Sequence, residues 1–180
     1  MTDRAVHSNT KAILQAWARL SSDTQDKFRD PKVSDFPNLL GSLFVLKQVD
    51  LDIWPFTNAG TDLGARLGRE LVEQNFLTLW RGRDMDLVSA QLDAIRFSGM
   101  PGLIHCEAET LAGQHIKVEI ALAPILGSGD TPDRILGLYQ PLDAPEKLNG
   151  RPVWRHGISA LFPPERQRTE NVVPLFAMNE

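Results

Sequence analysis

The chain has 180 residues, 42% of them hydrophobic and 23% charged, with a formal net charge of -4. That length and apolar content can supply one ordinary domain core, and the near-neutral balance offers no electrostatic handle for nucleic acid or anionic lipid. The single cysteine, Cys106, excludes an internal disulfide framework and a multi-cysteine zinc site.

The opening MTDRAVHS lacks a basic region followed by an apolar core. The longest strongly apolar stretch, IALAPIL, is too short to span a bilayer. A cytoplasmic location without membrane insertion is the expectation. KAILQAWARL then sets Ile13, Ala16, Trp17 and Leu20 on one helical face, with Ser8 or Asn9 as cap, which predicts an amphipathic N-terminal helix.

The charged connector SSDTQDKFRDPKVSDFPN leads into LLGSLFVLKQV, where Leu43 to Val49 reads as the first strand. In IWPFTN, Trp54 and Phe56 share a face of a short second strand, and Pro55 favours a sheet edge. Gly60, Gly64 and Gly68 form neither GxGxxG nor a P-loop. Their four-residue spacing predicts one side of a helix that packs closely on the sheet. Leu71, Phe76, Leu79 and Trp80 follow as apolar anchors. A helix from about Asp84 to Phe97 lines up Met85, Val88, Leu92 and Ile95, and Ser98 and Gly99 end it.

Three strands complete the set: GLIHCEAETL, HIKVEIALAP and RILGLYQPL, the last two separated by LGSGDTPD. With LAG as a three-residue hairpin loop and Gly113 left-handed, Ala108 faces Ile116, Cys106 faces Val118, and Ile104 faces Ile120 on the apolar side. The other side pairs Glu109 with His115, Glu107 with Lys117 and His105 with Glu119. A one-residue slip would oppose charged and apolar groups throughout. This register makes one sheet face wet.

The register also disfavours a catalytic reading of HCEAE and HIKVE. Cys106 points away from His105, and the two histidines stand roughly 13 Å apart at the usual strand rise. Solvated cross-strand pairs are the preferred reading, with no catalytic and no metal residue. From Asp143 onward the chain reads as an irregular tail, and its RPVWRHG and PERQRTE segments are balanced by nearby acids.

HSNTKAILQAWARL, DFPNLLGSLFVLKQV, AGTDLGARLGREL with LTLW, and ILGLYQPLD together resemble the stand-alone bacterial PAS-like family from about His7 to Phe162. Thr57 stands where that family suggests a basic residue, and Glu73 where glycine is common. The resemblance agrees with the element order in implying an α+β fold: a PAS-like five-stranded antiparallel sheet with helices on one face, plus the N-terminal helix. Residues 1–34 form the helix and connector, 35–142 the core, and 143–180 the irregular tail.

The family likeness implies a non-enzymatic sensory or regulatory module that acts in trans on signalling proteins. A homodimer through Ile13, Trp17 and Leu20 is one arrangement it allows. The first alternative is a small-ligand sensor whose pocket is lined by Trp54, Phe56, Trp80, Cys106, Val118, Ile120 and Leu138. The second is an enzyme in which His105, Glu107 or His115 faces a cone-like cavity. No flavin, haem or metal motif is found, so the cofactor is left unknown.

Overall fold

The protein is described here by a computed structural model, over residues 1–22, 37–125 and 132–165. Most of the expected connector after α1, most of the LGSGDTPD loop, most of the PERQRTE segment and the Leu20 side chain lie outside the described residues.

The elements are α1 (Ser8–Ser22), β1 (Leu43–Lys47), β2 (Phe56–Ala59), α2 (Thr61–Leu67), α3 (Arg83–Ser98), β3 (Gly102–Thr110), β4 (His115–Ile125), β5 (Arg134–Pro141) and β6 (Val153–Phe162). One sheet holds the strands in the order β2-β1-β5-β4-β3-β6. Neighbouring strands run antiparallel throughout. Pro55 fits the edge place of β2, where its missing N–H costs no ladder bond. α3 stops where expected, with Gly99 left-handed at φ 65°.

The β3–β4 hairpin has the register its sequence dictates, from Gly102 opposite Leu122 to Glu109 opposite His115. The Thr110 N–H donates to the Gln114 carbonyl at 2.9 Å, and Gly113 has φ 83°. Alternation of apolar and polar side chains leaves no other pairing that keeps charges off the core.

Two expectations change. The sheet has six strands, because Val153–Phe162, part of the expected irregular tail, pairs along β3 from Val153 to Phe162. Without β6, the long β3 would be an open edge with a row of unsatisfied backbone groups. The other change is on the face expected to be wet: α2 and α3 lie on one face as expected, and α1 covers part of the other. α2 and α3 close the inner face over Phe44, Phe56, Phe76, Trp80, Val118 and Ile120. On the outer face, Ile13 and Leu14 of α1 pack with Leu43, Leu103, Ala121, Leu136 and Leu138. Only the lower part of that face is wet, where Glu107, His115 and Lys117 are exposed.

The glycine stripe packs tightly, but not on the sheet. A Cβ at Gly60 would lie 2.2 Å from the Leu40 carbonyl oxygen, and one at Gly68 2.5 Å from Pro152 Cβ. Gly68 also ends α2 in the left-handed region at φ 63°. Close approach to the turn before β1 and to the lead-in of β6 therefore explains these two glycines. Among the described residues no helix is long and apolar enough to cross a membrane.

Candidate functional site

Six of the seven sequence-derived pocket residues meet on the inner face: Trp54, Phe56, Trp80, Cys106, Val118 and Ile120 are buried in one cluster. Leu138 is not among them. On β5 the residues facing α2 and α3 are Ile135 and Tyr139, and Leu136 and Leu138 point to α1. Tyr139 takes the place expected of Leu138.

Side chains fill this inner space. Phe44 lies 5.4 Å from Phe56 and 5.5 Å from Phe76 between ring centroids, and Phe76 lies 6.2 Å from Trp80. Phe44 also occupies the room opposite Gly137, where a Cβ would stand 2.0 Å from the Phe44 ring. The edge and stacked geometries are those that aromatic quadrupoles favour.

A polar pair sits within this apolar core. Tyr139 Oη and His156 Nε2 are 2.8 Å apart, both residues are buried, and the imidazole lies 5.2 Å from the Trp80 ring. Burial pulls the His156 pKa down to about 4, and the Arg69 charge acts in the same direction against the favourable Leu79 carbonyl. Burial also raises Tyr139 well above its ordinary value, with Cys106 adding to the rise and Arg66 opposing it. A neutral imidazole beside a protonated phenol shares one hydrogen between Oη and Nε2, and the histidine tautomer decides which atom donates. Sequence reading missed His156 because its strand looked like tail.

Cys106 faces the same core at 2% exposure. Burial drives its thiol far above the ordinary range, and the Asp84 and Glu107 carboxylates add to the rise. It is a thiol of the core, not a nucleophilic thiolate. Phe44, Phe56, Phe76, Trp80 and Tyr139 belong to the same buried cluster as this cysteine. Among the described residues, the indole nitrogens of Trp54 and Trp80 are buried without a hydrogen-bond partner.

On the outer face the structure builds a second centre. Glu119 is 0% exposed. Its carboxylate accepts from the Val6 N–H at 2.7 Å and the His7 N–H at 3.1 Å, and lies 2.8 Å from His105 Nε2. Burial raises its pKa, yet the Val6 N–H, the nearby Thr10 side chain, the His7 N–H and the His105 ring outweigh burial and hold the carboxyl below the usual range. The His105–Glu119 pair is expected to be solvated; instead the N-terminal segment covers Glu119 completely and leaves His105 about 20% exposed.

α1 is fixed to the sheet by further contacts. The Trp17 indole donates to the Pro124 carbonyl at 2.8 Å, and Asn9 Nδ2 donates to Gln140 Oε1 at 3.0 Å. The helix start is capped by the His7 ring, whose Nδ1 accepts the Asn9 N–H at 3.1 Å, where Ser8 or Asn9 was the expected cap. Ile13 is 4% exposed. Ile13 and Trp17, the sequence-derived interaction residues, are therefore occupied within the chain.

The end of β6 reaches the same centre. The Phe162 ring packs 4.9 Å from His105, and Arg4 lies over Phe162 at 5.6 Å. Lower on the sheet, Glu107, Glu109 and His115 border an open cleft of about 480 Å³. Arg155 pairs with Glu109 there at 2.6 Å. None of the histidines and glutamates required by the enzymatic alternative converges beneath α2 and α3.

The family model for the PAS domain matches residues 5–140. Among solved structures, the chain is similar to the Rhodobacter sphaeroides LOV protein, with 18% identity and a TM-score of 0.48. That match covers 66% of each chain, just under two thirds of the relative's own length. The dark structure of the blue-light photoreceptor Aureochrome1 LOV is similar at 15% identity over 66% of this chain and 88% of that one, with a TM-score of 0.48. The PAS domain of an HTR-like protein from Haloarcula marismortui is similar at 19% identity over 61% of this chain and 91% of that one, with a TM-score of 0.45. No curated protein matches the chain.

Proposed function

The chain belongs to the PAS domain family, and from that premise we propose that it is a non-enzymatic sensory and regulatory module that passes its signal to other proteins through surface contacts. The observation that carries this reading is the solid inner face. Phe44, Phe56, Phe76, Trp80 and Tyr139 fill the space between sheet and helices, so signal exchange falls to the surface. The reading places the protein in the cytoplasm, acting in trans on signalling partners.

Quantitative affinity capture from native cells tests it. The reading expects one or a few signalling proteins, retained in fixed proportion and competed away by added free protein. Retention no different from an unrelated control of equal charge would contradict it.

One observation favours a second reading, a small-ligand sensor. Buried donors are nearly always satisfied in folded proteins, and the Trp54 and Trp80 indole N–H groups are not paired among the described residues. A small molecule bearing hydrogen-bond acceptors would satisfy them if the aromatic cluster around Trp54 and Trp80 parts to admit it. Filling the core further with Cys106→Phe should then abolish retention of that molecule, and unchanged retention would place it elsewhere.

A further inference from the structure

Of the ten large apolar side chains exposed among the described residues, five come from three neighbouring segments: Val49, Leu51 and Ile53 on the β1–β2 turn, Val72 after α2, and Met85 at the start of α3. Leu51 is 77% and Val49 60% exposed. Isolated exposed apolar residues need no explanation, but a concentration on adjoining segments does.

The turn is held in place. Asp52 is left-handed at φ 57°. Its carbonyl accepts from Asn75 Nδ2 at 2.9 Å, and its carboxylate accepts from the Ser89 hydroxyl on α3. Asn75 Oδ1 in turn accepts the Trp54 N–H at 3.0 Å. A bridge between Pro55 and Asn75 and another between Phe56 and Val72 tie in the second segment. Met85 lies one helical turn before Ser89. Three segments are thus locked at one hub, and each leaves apolar side chains in water. A rigid surface loses little entropy when a partner covers it.

Charge points to the partner. The immediate neighbour of an exposed apolar side chain is an exposed acid in each segment, Asp50 at Leu51, Glu73 at Val72 and Asp86 at Met85, while the exposed bases Lys47, Arg69 and Arg83 stand two or three residues from the nearest of them. We propose that this end of the molecule docks a partner protein through an apolar pocket rimmed by lysine or arginine. The proposal rests on the protein-contact reading above and names its surface, which is separate from the Glu119 centre and from α1. Acidic rims around an apolar centre select such a partner and reject acidic surfaces.

Site-specific photocrosslinking in native cells tests it, with the crosslinking residue at position 51 and, as control, at position 111. Leu111 is equally prominent at 81% exposure but sits on the β3–β4 hairpin. The expected result is a protein adduct at 51 and none at 111, joined to an apolar peptide flanked by basic residues. The triple variant Asp50→Lys, Glu73→Lys, Asp86→Lys should reduce the adduct about tenfold or more, as reversal of complementary rim charge does. Circular dichroism of that variant should match the unmodified protein. Adducts at 111 or at position 40 but not at 51 would overturn this surface while leaving the protein-contact reading intact. No adduct at any of the three positions would overturn this surface, and an empty affinity capture beside it would remove the protein-contact reading as well. An adduct to a second copy of this chain, or one indifferent to charge reversal, would also overturn the proposal.

Discussion

Tyr139 and His156 form a hydrogen bond of 2.8 Å inside the apolar core, joining the middle of β5 to the outer strand β6 across two intervening strands. The pair needs a neutral imidazole, because a buried imidazolium would have no anionic partner.

This gives the protein a defined acid sensitivity. His156 titrates at 6.5 when unfolded and near 4 when folded, so its contribution is complete above pH 6.5 and is lost as pH falls toward 4. A shift of that size corresponds to about 3 kcal/mol. Urea unfolding at intervals across this window should show the loss in the unmodified protein and a flatter profile in His156→Gln. Tyr139→Phe should cost about 1–2 kcal/mol at pH 7 by leaving Nε2 unsatisfied.

Glu119 should be the main anchor of the N-terminal segment. Glu119→Ala strips the partner from two backbone N–H groups and from His105, with an expected cost of about 2–4 kcal/mol. Hydrogen exchange should rise at Val6, His7 and along α1 while β3 and β4 stay protected. The folded carboxyl titrates below its ordinary 4.5, so its contribution is present above pH 4.5 and disappears as pH falls through the folded value. Equal protection of α1 in both proteins would refute the anchor.

Glu73 stands where the PAS-like pattern commonly has glycine, and its backbone explains why. It is left-handed at φ 69°. A side chain there costs about 1–2 kcal/mol, of which glycine returns part through its looser unfolded chain. Glu73→Gly should raise stability by up to about 1 kcal/mol, read as a higher melting temperature. A lower one would mean that the carboxylate makes a compensating contact.

Gly137→Ala should do the reverse. Its new methyl would strike the Phe44 ring, and overpacking of that kind costs about 1–3 kcal/mol. Phe44→Leu in the same chain should recover part of the loss. Additive losses in the double variant would place the strain elsewhere.

The β3–β4 hairpin was legible because charged and apolar residues alternate on both strands and a short loop fixes their offset. Leu138 was misplaced for the opposite reason: Leu138 and Tyr139 are both apolar, so alternation does not say which one faces the helices, and the connection from β4 is too long to set the register. β6 was hidden because Trp154, Arg155, Gly157 and Ser159 are exposed, giving WRHGIS the composition of a tail. The burial of Glu119 depends on Val6 and His7, 113 and 112 residues away in the chain. No local pattern encodes such a contact. Trp17 and Ile13 were correctly placed on the apolar face of α1, but only the fold shows that the chain's own sheet covers it.

The proposed role requires an inner face packed solid and a signal passed through surface contacts. Native mass spectrometry of gently purified protein, set against its denatured mass, tests this most directly. The account predicts that the two masses agree for each protein chain; a small molecule retained in fixed stoichiometry would contradict it and make the interior the sensor.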